Sequence, residues 1–166
     1  MLSLDPMCCP RDNRGIGKEA RAMSKYLIVA NQTLGGAELE REVQQRINGG
    51  ESHFHVVVPA TATHHKSADW RGGFADESSE TDKAHDIAEQ RLSKMLDKLK
   101  QLGAEADGEV GDPDPQTAVK DVLRHHSFDE VIVSTLPGGI SGWLKADVPS
   151  QIAAVTGSLV TTVRAE

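Results

Sequence analysis

The chain has 166 residues, 38% hydrophobic and 26% charged, the size and balance of one globular domain with a core of its own. Its formal net charge of -7 and its 4% aromatic content argue against broad electrostatic binding to nucleic acid or to an anionic membrane. No apolar run approaches the roughly 20 residues that span a bilayer, and the two cysteines, Cys8 and Cys9, are adjacent, a usage that fits a reducing cytoplasm.

Residues 1–24 carry neither the apolar stretch of a secretory signal nor any helical or strand period. They are expected to form a disordered tail, or an extension ahead of a natural start at Met23, with residues 25–166 as the folded domain. "KYLIVAN", residues 25–31, is a short apolar run rich in branched side chains and predicts a buried strand. Leu39, Val43 and Ile47 then form one stripe of an amphipathic helix that Gly49 and Gly50 end. "HFHVVVPA" predicts a second strand, stopped by Pro59. Residues 61–82 are polar and punctuated and predict a long loop.

A long helix is expected over residues 83–102, with Ile87, Leu92, Met95, Leu96, Leu99 and Leu102 on its buried face and Gly103 as its cap. "AEADGEVG" is a weakly patterned third strand. In "DPDPQTAVKDVLRHH" the prolines stand where a helix start tolerates them, Asp112 or Asp114 caps, and Ala118, Val119, Val122 and Leu123 point inward. "DEVIVST" is a fourth strand, followed by a loop, a short helix around residues 150–156, and "SLVTTVRA" as a fifth strand.

Strands alternating with helices predict an open, mostly parallel five-stranded α/β sheet covered by helices on both faces, Rossmann-like in type. In such sheets ligands bind beyond the carboxyl ends of the strands, where the strand order reverses. That rule gathers four segments on one rim: residues 31–36, 59–63, 111–115 and 134–142. In "STLPGGISGW", residues 134–143, glycines allow close approach of backbone N–H groups to a phosphate, and Ser134, Thr135 and Ser141 offer hydroxyls. The same residues equally make a simple chain reversal. Gly111 either leaves space for a sugar or belongs to the turn that Asp112 and Asp114 cap.

Neither a P-loop nor a dinucleotide fingerprint is present, and no G-x-S-x-G elbow or acid/base pair stands out. His64-His65 and His125-His126 are neighbours that point apart, so neither makes a two-ligand metal site. His53 and His55 share one strand face, with no carboxylate or cysteine close to them in sequence. No metal site and no catalytic group is expected.

"KYLIVANQT" before a helix, "VGDPDPQTAVKDVL", and "FDEVIVST" leading into a Gly/Ser loop and a closing "SLVTTV" strand resemble the universal stress protein family, over residues 25–164. The resemblance implies an adenine-nucleotide-binding α/β fold of five parallel strands, often dimeric through the last strand. It implies that Asn31 stands where nucleotide-binding members carry an aspartate, and that Gly139 and Gly142 match the first half of a phosphate motif. Beyond nine spacer residues from Gly142 stands Ile152, where the motif calls for Gly-Ser; Pro149-Ser150 is the nearest substitute.

Two functions follow as expectations. In the leading one, a cytoplasmic, non-catalytic stress-response or signalling homodimer binds ATP or AMP, with or without Mg. Asn31, Thr33 and the backbone near Val58 meet the base and ribose, Gly111 leaves room for the sugar, and Ser134, Gly139, Ser141, Gly142 and Ser150 serve the phosphate side. In the alternative, the same fold is an interaction and dimerisation module with a degenerate pocket, working through its dimer or through Trp70 and Phe74. Neither nucleic acid nor membrane is expected as a partner.

Overall fold

A computed structural model of the chain describes residues 23–30, 32–61, 77–136 and 147–165. Among the described residues five strands and four helices alternate: β1 (Ser24–Ala30), α1 (Ala37–Gly49), β2 (Ser52–Pro59), α2 (Glu77–Gln101), β3 (Glu105–Gly111), α3 (Pro115–His125), β4 (Glu130–Thr135), α4 (Val148–Thr156) and β5 (Leu159–Arg164). All strand pairings are parallel, in the order β3-β2-β1-β4-β5. The expected open parallel α/β sheet is therefore the observed one.

Period-two alternation in the central strands divides the core into two layers. Ile28, Ala30, Phe54, Val56, Val58 and Ile132 pack against Leu39 and Val43 of α1 and Ala88, Leu92, Met95 and Leu99 of α2. Leu27, Val29, Val57, Val131 and Val133 pack against Ala118, Val119 and Val122 of α3 and Val148 and Ile152 of α4. Because both faces are covered, β1 and β4 read as continuous apolar runs. Burying each such aliphatic side chain contributes roughly 1.5–3 kcal/mol.

Helix ends follow local chemistry. Asp114 caps α3, its carboxylate accepting the Thr117 N–H at 3.0 Å, with Pro115 in the first turn. Gly103 takes φ +82 just beyond α2, the left-handed turn expected of a helix-stopping glycine. Gly50 ends α1, its N–H donating to the Ile47 carbonyl.

Four expectations need correction. β1 opens at Ser24, one residue ahead of the expected boundary. α2 starts at Glu77, so the end of the expected loop is helical. Ile87 is 38% exposed: stepping back from Leu92, Met95 and Leu99 by helical spacing leads to Ala88 and Ala84, which are buried in its place. α4 starts at Val148, two residues early, because Pro149 is compatible with a first turn. The predicted tail over residues 1–22, His64, His65, Trp70 and Phe74 lie outside the described residues.

Candidate functional site

In the order β3-β2-β1-β4-β5 the chain leaves β1 toward β2 and leaves β4 in the opposite direction toward β5, so the switch point lies between the carboxyl ends of β1 and β4. Their register pairs Ala30 with Ser134. Just beyond β1 a turn forms, the Gly36 N–H donating to the Thr33 carbonyl at 3.0 Å, and α1 begins immediately after. Across β4, Thr135 pairs with Arg164 of β5, and its carbonyl accepts the Ala165 N–H at 2.9 Å.

Three buried hydroxyl side chains lie at the carboxyl ends of β1 and β4. Thr33 is 4% exposed, Ser134 2% and Thr135 2%, and none of their hydroxyls has a hydrogen-bond partner among the described residues. By strand alternation Ser134 stands on the α1/α2 side and Thr135 on the α3/α4 side, so the polar groups flank the sheet edge-on. A buried hydroxyl left unsatisfied costs about 1–3 kcal/mol.

The other expected residues distribute around this rim. Val58 is fully buried in the α1/α2 layer and paired with Val110 of β3, so its side chain is closed to a ligand. Gly111 ends β3, its carbonyl accepting the Ala60 N–H at 3.1 Å. A Cβ there would stand 2.6 Å from the Ala118 Cβ and 3.0 Å from Val57 Cγ2, so the close seat of α3 on the end of β3 already requires glycine. Ser150 is an exposed residue in the first turn of α4. Asn31, Gly139, Ser141 and Gly142 lie outside the described residues.

A group of histidines and carboxylates went unseen in the sequence. His55, 6% exposed, has Nδ1 at 2.5 Å from Asp107 Oδ1 and Nε2 at 3.9 Å from Glu109. His53 lies 3.5 Å from the other Asp107 oxygen, and the His126 ring stacks on His55 at 5.1 Å. The carboxylates come from β3, some fifty positions away, through the pairing of His55 with Asp107. The available signal was the Glu-x-Asp-x-Glu alternation of β3 beside His-x-His of β2. Among the described residues no group of three or more such side chains is placed to hold a metal ion.

A cavity of about 470 Å3 opens at the opposite rim, between the amino ends of β1 and β2 and the end of α1, lined by Tyr26, Gln45 and Arg46 among others. Arg46 there is matched by Glu42 and Glu130, which hold its guanidinium above the ordinary range although burial alone would lower it. With that charge spent, the cavity offers an anion little.

An open parallel sheet with helices on both faces and a switch point between β1 and β4 defines a doubly wound α/β domain. No protein-family model and no curated protein matches the sequence. Solved structures do. The protein MJ0577 aligns at TM-score 0.58 and 12% identity, covering 87% of this chain and 98% of its own. A universal stress protein from Archaeoglobus fulgidus aligns at TM-score 0.53 and 14% identity, covering 85% of this chain and 94% of its own. A universal stress protein family protein from Arabidopsis thaliana with AMP bound aligns at TM-score 0.52 and 13% identity, covering 86% of this chain and 92% of its own. The chain has the universal stress protein fold. No helix among the described residues is long and apolar enough to cross a membrane.

Proposed function

We propose that this is a universal stress-type protein that binds an adenine nucleotide at the β1/β4 rim. The observation that carries this reading is the β1/β4 switch point, where the buried hydroxyls of Thr33, Ser134 and Thr135 have no hydrogen-bond partner among the described residues. A structure of the same fold with AMP bound supports the choice of ligand class. In this reading Asn31, Thr33 and the backbone near Val58 meet base and ribose. Gly111 accommodates the sugar, and Ser134, Gly139, Ser141, Gly142 and Ser150 lie toward the phosphate side, with Mg accompanying the phosphates of ATP.

In this reading the protein works by binding and not by catalysis, and phosphate release from ATP above background counts against it. We place it in the cytoplasm, consistent with its adjacent cysteines. Isothermal calorimetry with AMP, ATP and their magnesium complexes tests the reading. Binding in the millimolar range or tighter is expected, and silence at millimolar ligand sinks it. Gly142→Glu is expected to abolish binding with the fold intact; retained affinity would put the site elsewhere.

The alternative, an interaction module of the same fold, is favoured by one observation. β5 is an edge strand, and Leu159 on it is 67% exposed. Pairing of two copies along β5 serves both readings. Sedimentation is expected to give a dimer, and a monomer at all concentrations counts against the pairing.

A further inference from the structure

β3 forms one edge of the sheet, and among the described residues its side away from β2 makes no main-chain hydrogen bond. Such an edge is a template for a further strand unless its side chains forbid one. Five carboxylates and no lysine or arginine stand between Lys100 and Lys120. Strand alternation turns Ala106 and Val110 toward α2 and sets Glu105, Asp107 and Glu109, all exposed, in a row on the other face. Among the described residues no lysine or arginine pairs with any of the three.

A buried acceptor stands beside this row. His55, 6% exposed, donates from Nδ1 to the Asp107 carboxylate, so the neutral ring keeps a lone pair on Nε2. That nitrogen has no hydrogen-bond partner among the described residues and faces Glu109 across 3.9 Å, beneath the exposed ring of His126. Two acceptors with no donor between them fit a cationic N–H group. A second copy of the chain is a poor occupant, because the same strand would set carboxylate against carboxylate. An extended segment with a lysine or arginine at every second residue matches the row in both spacing and charge.

We infer that the β3 edge docks a basic, extended segment of a partner protein by strand addition, with its cationic side chains beside Glu105, Asp107 and Glu109. This edge lies away from the β1/β4 rim, so docking there is independent of nucleotide.

Fluorescence anisotropy on the full chain tests it, with a labelled peptide in which three lysines alternate with valine and threonine. Saturable binding below about 1 mM peptide is expected at low salt. One control carries glutamate for lysine; another carries proline for valine and threonine, which keeps the charge but removes ladder donors. Both are expected to bind about tenfold or more weakly. Glu105→Gln, Asp107→Asn and Glu109→Gln combined are expected to weaken the lysine peptide about tenfold, with the circular dichroism unchanged. No binding of the lysine peptide, or equal binding of the proline one, overturns the inference, as does full affinity in the folded triple variant. If the triple variant fails to fold, the three peptides on the unaltered chain still decide. A dimer that sediments as monomer only in the triple variant would make the edge a contact between copies, and overturns it too.

Discussion

Arg46 of α1 and Glu130 of β4 form a two-armed ion pair: Nε donates to Oε2 at 3.1 Å and Nη2 donates to Oε1. The same guanidinium holds Glu42 one turn back and lies 5.6 Å from the centroid of the Tyr26 ring, and Thr161 of β5 donates to Glu130. One carboxylate thereby ties α1, β4 and β5 together at the rim opposite the proposed ligand site. Both side chains are largely buried, at 13% and 14% exposed, so the pair is well shielded from solvent.

Removing one partner strands the other. Arg46→Met leaves the Glu130 charge in a mostly buried position, and a loss of about 2–4 kcal/mol is expected. Urea denaturation of the two proteins measures it, and a change below about 0.5 kcal/mol would mean that the pair is energetically idle.

The pair also predicts acid behaviour. Burial alone would raise the Glu130 carboxyl, but hydrogen bonds from Arg46 and Thr161 and the charge of Arg46 carry it below the ordinary range. A carboxyl lowered in the folded state contributes stability that is fully present above its unfolded value, about 4.3, and is lost as pH falls through the folded value. Glu130→Gln is therefore expected to be less stable at neutral pH yet to lose less between pH 5 and pH 3. Equal losses in thermal melts across that window would refute the assignment.

Gly111 tests packing against ligand space. Gly111→Ala puts a methyl 2.6 Å from the Ala118 Cβ, and overpacking of this kind costs about 1–3 kcal/mol. Ala118→Gly in the same chain is expected to recover part of that loss. A stable Gly111→Ala chain that fails only to bind nucleotide would show a ligand role instead.

The rim hydroxyls should separate stability from binding. Thr135→Val keeps the shape and removes an unpartnered polar atom, so stability is expected to hold or to rise by about 1 kcal/mol. AMP affinity is expected to fall by about three- to tenfold, the worth of one neutral hydrogen bond. Calorimetry beside a thermal melt reads both, and a destabilised variant with unchanged affinity would place the hydroxyl in the core's own bonding.

Local chemistry wrote much of this protein openly. The branched runs of β1, β2 and β4, the Leu39–Val43 stripe, the Asp114 cap and the strand–helix alternation each depend on neighbours within a turn or a strand, so they survive in a linear reading. Ile87 marks the limit of that reading. A large aliphatic side chain looked internal, while the phase set by Leu92 and Met95 buried Ala84 and Ala88. The carboxyl-end rim followed from the alternation once the strands were parallel, while the order that puts the switch point between β1 and β4 came from the structure. What required the tertiary structure were relations across the sheet. β3 brings Asp107 to His55, α1 brings Arg46 to Glu130, α3 sits hard on Gly111, and Thr33, Ser134 and Thr135 are sealed from water without partners. Spacing along a chain encodes the period of an element, but which side chains lose their water, and beside whom, is decided only when distant elements pack.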